Sequence, residues 1–232
     1  MEQIVPEQKI DFAAARMHMA ESQLRPNRVH DPRVLAAMKS LPRERFLPEA
    51  LAAFAYVDDD VPLGQGRVLT EPMVLARLVQ LAEPRPGERA LVVGAGTGYG
   101  AAVLAACGPA VTALEEDERL LAVARTVLPA MAPAVTLAEG KLANGWPAGA
   151  PWQIVLIEGA VLQIPPAIIE QLSRESGRVV TVLAERDAAG RPAVVSRAVI
   201  GRPSLGGLAI QSVFDCATPL LPALVPPPAF TF

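Results

Sequence analysis

Apolar positions recur with helical spacing from Asp11 onward. In DFAAARMHMAESQL the alanines, methionines and Leu24 share a face, Asp11 is placed to cap the first turn, and Pro26 bars continuation. A second helix starts at Asp31, with Pro32 at its first helical position, and runs through VLAAMKSL. PRERF and LPEALAAFAY read as a further short helical piece and a loop. Residues 58–72, DDDVPLGQGRVLTEP, carry turn residues instead of a period and predict a long loop, either a lid over a substrate or a plain connector. MVLARLVQLAE then returns to apolar positions at i, i+3, i+4 and i+7, with Pro72 where a helix can begin.

Past Pro86 and Gly87 the pattern changes. Continuous apolar runs at ALVV, AVTALE, AVTLAEG, IVLI and GRVVTVLAE predict buried parallel strands. They are separated by the helix-like AAVLAAC, DERLLAVARTVL and PPAIIEQLSRES. Beyond Asp187, PAVVSRAVIG and GLAIQSVFD alternate and are joined by RPSLGG, which predicts an antiparallel hairpin. The tail TPLLPALVPPPAFTF is apolar and proline-rich and is expected to pack in extended form. The result is an α/β chain with a mostly parallel sheet. Its expected parts are a polar tail at 1–10, helices and a loop at 11–80, the α/β core at 81–186 and strands with a tail at 187–232, all in one compact domain.

With 232 residues and 51% hydrophobic content the chain can bury one sizeable core. A net charge of -3 argues against nucleic acid as a partner. Cys107 and Cys216 lack metal-ligand spacing and read as small buried hydrophobes in a reducing compartment. His18 and His30 have no partner at ligand spacing, so no metal is expected. Arg25, Arg28, Arg33, Arg43 and Arg45 read as a solvated face. No long apolar segment appears, and a cytoplasmic protein without membrane contact is expected.

The stretch with the most chemistry is ALVVGAGTGYG. Gly94, Gly96 and Gly98 follow a predicted strand and precede a helix, where a sharp turn needs positive φ and where backbone N–H groups can approach a ligand. A tight strand-to-helix turn with no ligand would use glycines as well. The dinucleotide fingerprint G-x-G-x-x-G fails, because its sixth position is Tyr99. A nicotinamide-dependent oxidoreductase is therefore disfavoured. Glu115 ends the next predicted strand, one βα unit on, where an acid can accept from ribose hydroxyls; alternatively it belongs to the acidic helix start Glu116, Asp117 and Glu118.

The pattern G-x-G-x-G-Y resembles motif I of class I S-adenosylmethionine methyltransferases, a Rossmann-like fold. The wider order of pieces resembles the protein-L-isoaspartate O-methyltransferases over roughly Met19 to Ala184: SQLRPNRVHDPRVLAAM, PRERFLPEAL, VPLGQGRVLTEP, VVGAGTGYGAAVLA, GWPAGAPWQIVLIEGA and IPPAIIEQL. The resemblance implies a doubly wound, mostly parallel sheet with helices on both faces, S-adenosyl-L-methionine as cofactor, a peptide or protein carrying isoaspartate as substrate, and methyl transfer to its carboxylate for repair. It implies cofactor contacts at Gly94, Ala95, Gly96, Thr97, Gly98, Glu115, Glu116, Glu139 and Gly140, with Glu115 at the ribose and Glu139 at the adenine edge. Thr70 would position the acceptor. Four positions depart from the family: Thr70 replaces Ser, Val92 replaces an acid, Glu139 replaces Asp, and Glu158 replaces a small neutral residue. Methylating an ionised carboxylate needs no general base. A hydroxyl or amine acceptor would instead make Glu158 a candidate base, and a catalytically weak cofactor-binding protein is the other alternative.

Overall fold

The computed structural model describes residues 10–185 and 195–225. The expected polar tail, the start of PAVVSRAVIG and the end of the proline-rich tail lie outside them. Asp11 caps α1 (Phe12–Met19), its carboxylate accepting from Ala14 N at 2.9 Å, and the helix loosens into a π turn over Ala20–Leu24 before Pro26. Asp31 caps α2 (Pro32–Ser40) in the same way. Two 3-10 turns come next, Arg43–Phe46 and Glu49–Phe54.

Residues 58–72 contain more structure than a loop. Strands β1 (Val61–Gly64) and β2 (Arg67–Leu69) form an antiparallel hairpin. Its turn residues Gln65 and Gly66 both have positive φ, 51° and 74°, the twist that lets a two-residue turn match its strands. Val61, Arg67 and Leu69 face inward. Helix α3 (Pro72–Leu81) then packs its buried Val74, Leu75, Leu78 and Val79 into the core.

The core repeats strand and helix: β3 (Arg89–Val93), α4 (Tyr99–Ala106), β4 (Ala110–Glu115), α5 (Glu118–Met131), β5 (Thr136–Glu139), β6 (Ile154–Val161), α6 (Pro166–Glu170) and β7 (Arg178–Leu183). An antiparallel pair, β8 (Ser196–Ser204) and β9 (Gly207–Cys216), completes a seven-stranded sheet in the order β5-β4-β3-β6-β7-β8-β9. Strands β5 to β7 in that order pair in parallel, and the direction reverses at β8. The chain order reverses between β3 and β6, so the carboxyl ends of these neighbours flank the crevice where open α/β sheets bind ligands.

Two boundaries differ from the sequence reading. Strand β6 does not stop at Ile157 but carries Glu158 inside it, with a register shift between Leu156 and Ala160 and Gly159 at φ 140°. The C-terminal hairpin turns on Leu205 and Gly206 alone, since Arg202 to Ser204 already pair with Gly207 to Ala209. Cys107 and Cys216 are buried free thiols, and burial pushes each up to about 11. No helix among the described residues is long and apolar enough to cross a membrane.

Candidate active site

The site is built at the carboxyl ends of β3, β4 and β6. Leaving β3, the chain turns through Gly94, Gly96 and Gly98, at φ 73°, 59° and 98°, and enters α4 with Gly98 as its cap. These are left-handed conformations, which glycine adopts without strain. The N–H groups of Gly94 and Ala95 are tied to Leu114 O at 3.0 and 3.1 Å, which lashes the turn to β4. The last residue of β4, Glu115, accepts from Gly96 N at 2.7 Å. Acid and glycine turn therefore meet at one point.

Glu115 is fully buried, and its oxygens also accept from Glu116 N and Asp117 N at 2.9 and 3.0 Å and from both Nη atoms of Arg67 at 2.8 Å. Burial pushes the carboxyl up, but hydrogen bonds and charge from Arg67, with the two backbone N–H groups, outweigh it and hold Glu115 below the ordinary value. Arg67 Nη2 donates to Gly94 O at 3.0 Å as well.

A second polar group surrounds the start of α4. Glu158 points at Gly100 so closely that a Cβ there would stand 2.3 Å from its Oε2. Burial raises Glu158 to about 8 against the pull of Arg43 and Arg67. Arg43, assigned from the sequence to a solvated face, is instead fully buried. Its Nε donates to Ala55 O at 2.7 Å and its Nη2 to Thr70 O at 2.6 Å, while the guanidinium lies 4.9 Å from the Tyr99 ring centre. Carbonyl groups and an aromatic face compensate its burial in part, and its Nη1 is left without a partner. Thr70 is buried with its Oγ1 unpartnered, and Thr97 Oγ1 and Glu158 Oε2 are in the same condition. Buried polar atoms without partners point to a group the protein expects to receive.

The remaining expected contacts separate. Glu116 turns to Leu142 N at 2.8 Å and to Lys141. Glu139 is exposed and pairs with Arg125 on α5 at 2.7 Å, so its carboxylate is not gathered with Glu115. Gly140 stays close, its N–H donating to Glu115 O at 3.0 Å. Val92 is buried apolar core. Arg67 and Leu221 were not singled out from the sequence, and Arg43 only as one of the arginines of a solvated face. Arg67 carried a usable signal, since it alternates with Leu69 on the inward face of a hairpin flanking Gln65-Gly66.

The residues present suit a nucleoside joined to an amino acid. A left-handed glycine cradle, a carboxylate at the adjacent strand end that is held by Arg67, and the unpartnered Thr97 hydroxyl are groups that such a ligand's polar edges can use once Arg67 releases the carboxylate. Among the described residues no group of three or more His, Cys, Asp or Glu is placed to hold a metal.

Comparison with known proteins shows what the chain is similar to. The sequence profile described as Protein-L-isoaspartate(D-aspartate) O-methyltransferase (PCMT) matches residues 16–192. A protein-L-isoaspartate O-methyltransferase of Methylorubrum extorquens is 42% identical over 170 residues, covering 73% of this chain and 74% of that relative. One of Koribacter versatilis is 34% identical over 206 residues, covering 88% and 89%. A solved protein-L-isoaspartate O-methyltransferase superimposes with TM-score 0.73 at 21% identity, over 88% of this chain and 65% of that one. A Plasmodium falciparum structure described as a putative member, in complex with S-adenosyl-L-homocysteine, gives 0.69 at 16% identity over 92% and 99%. At these identities the two structures speak for the fold, a class I methyltransferase sheet.

Proposed function

The chain belongs to the protein-L-isoaspartate(D-aspartate) O-methyltransferase family, and from that premise we propose that it esterifies the free carboxylate of isoaspartyl residues in damaged proteins. Bound S-adenosyl-L-methionine supplies the methyl group as an electrophilic sulfonium carbon. The observation that carries the reading is the 2.7 Å contact between Gly96 N and Glu115, which puts the glycine turn and the acid one βα unit later in a single site.

In this reading Gly94 to Gly98 and Thr97 Oγ1 seat the amino-acid end of the cofactor, and Glu115 receives the ribose hydroxyls. Gly140, bonded to the Glu115 carbonyl, borders the same strand end. Thr70 Oγ1 orients the acceptor carboxylate. That carboxylate is already ionised at neutral pH, so the protein need only align it and exclude water. Burial of the whole turn supplies the exclusion. Glu158, about 8 when buried, is largely neutral at pH 7 and so does not repel an incoming carboxylate.

The same value favours a second reading for Glu158. A group titrating near neutrality with a buried, unpartnered Oε2 suits a base for a hydroxyl or amine acceptor. Labelled S-adenosyl-L-methionine with an isoaspartyl peptide separates the two. The carboxylate reading expects a base-labile methyl ester absent from the matched aspartyl peptide; no ester under conditions where cofactor binds would refute it.

A further inference from the structure

Glu115 has no capacity left for a ribose. Five hydrogen bonds converge on it, from Arg67 Nη1, Arg67 Nη2, Gly96 N, Glu116 N and Asp117 N. A carboxylate offers about four lone-pair positions. Only the two from Arg67 come from a side chain that can leave. The backbone donors belong to the turn and to the start of α5, and they stay in place when Arg67 moves.

A second group lies over the glycines. The segment after β9 runs back across the sheet end, held by Ala160 N to Pro219 O at 3.0 Å and Leu221 N to Ala160 O at 2.8 Å. This lays the Leu221 side chain on the turn, where a Cβ on Gly94 would stand 2.8 Å from its Cδ2 and one on Gly159 3.2 Å from its Cβ. The next residue reaches the hairpin tip, Pro222 Cγ being 3.0 Å from a Cβ position on Gly66. Hairpin and C-terminal segment thus meet above the turn, and residues 94–98 are buried throughout.

We propose that Arg67 and Leu221 are internal occupants of the methyl-donor site: the guanidinium holds the ribose position on Glu115, the leucine fills the space over Gly94, and a ligand enters only when both give way. The inference rests on the reading of Glu115 and the glycine turn as that site. It makes the free protein a competitor of its own ligand, so apparent affinity is reduced by the fraction of molecules that are open. Removing either occupant then tightens binding, whereas removing a true ligand contact would weaken it.

The test is calorimetry with S-adenosyl-L-homocysteine on the full chain, comparing wild type, Arg67→Gln, Leu221→Ala and Glu115→Ala, with stopped-flow tryptophan fluorescence for association. Either occupant variant is expected to bind about tenfold tighter or more, and wild-type association to level off with ligand concentration as opening becomes limiting. Glu115→Ala is expected to lose binding. Wild type that binds while Arg67→Gln and Leu221→Ala bind equally or less well overturns the self-occupancy and leaves the site assignment intact. Glu115→Ala binding as well as wild type, or no binding by wild type and both occupant variants, overturns the site assignment together with it. Should Arg67→Gln fail to fold, Leu221→Ala carries the same comparison.

Discussion

Arg67 clasps Glu115 by two parallel hydrogen bonds of 2.8 Å, with side chains 8% and 0% exposed. The pair ties the β1–β2 hairpin to the end of β4 in the centre of the candidate site. Its two halves are unequal. Glu115 retains backbone donors without Arg67, whereas Arg67 without Glu115 retains only the Gly94 carbonyl. Glu115→Ala should therefore destabilise the fold by about 3–5 kcal/mol, as when a buried cation loses its partner, and Arg67→Gln by clearly less. Denaturant melts of the two variants check the order.

The same carboxyl sets an acid limit. Glu115 lies below its ordinary value of 4.5 in the folded state, so its contribution is present above that value and lost as pH falls beneath it. Stability of the wild type should drop more steeply below about pH 4.5 than that of Glu115→Gln, measured by urea melts along a pH series.

Glu158 behaves in the opposite sense. Its folded value of about 8 exceeds the ordinary 4.5, so the protonated form is favoured and stability is lost as pH rises from 4.5 through 8. Glu158→Gln should be more stable than wild type above pH 8, by up to a few kcal/mol, with the difference fading toward pH 4.5. A difference independent of pH would contradict the burial argument.

Thr70 carries a buried hydroxyl that the fold does not use. Replacement by an isosteric apolar side chain, Thr70→Val, should leave stability unchanged or raised. Methyl transfer should fall roughly 10- to 100-fold through lost acceptor alignment, with S-adenosyl-L-homocysteine affinity kept. Turnover assays beside calorimetry distinguish this from damage to the cofactor site.

Gly98 has φ 98°, and a Cβ there would stand 2.9 Å from Leu128 Cγ and Cδ2 on α5. Gly98→Ala combines a strained backbone with overpacking and should cost at least about 2 kcal/mol. A thermal melt reads the loss directly.

The sheet was legible because its central strands are uninterrupted apolar runs broken by glycine, and because Asp11 and Asp31 declare helix starts by their side chains. The glycine turn and Glu115 were legible for the same reason: spacing along one βα unit fixes where a strand end faces. Contacts across the chain were not. Arg43 sits among other arginines in sequence, and only the fold reveals that Ala55, Thr70 and Tyr99 enclose it. Arg67 and Leu221 are 154 positions apart and reach the same glycine by tertiary packing. Glu139 ends its strand as expected, yet an exposed carboxylate next to Arg125 pairs there instead of facing inward.

The central claim is that Glu115 at the end of β4 holds the nucleoside of the methyl donor. A crystal structure of the full chain with S-adenosyl-L-homocysteine tests it most directly. The ribose hydroxyls should lie on the Glu115 oxygens, with the Arg67 guanidinium turned away and Leu221 lifted from Gly94. A ligand bound elsewhere, with Arg67 still clasping Glu115, would contradict it.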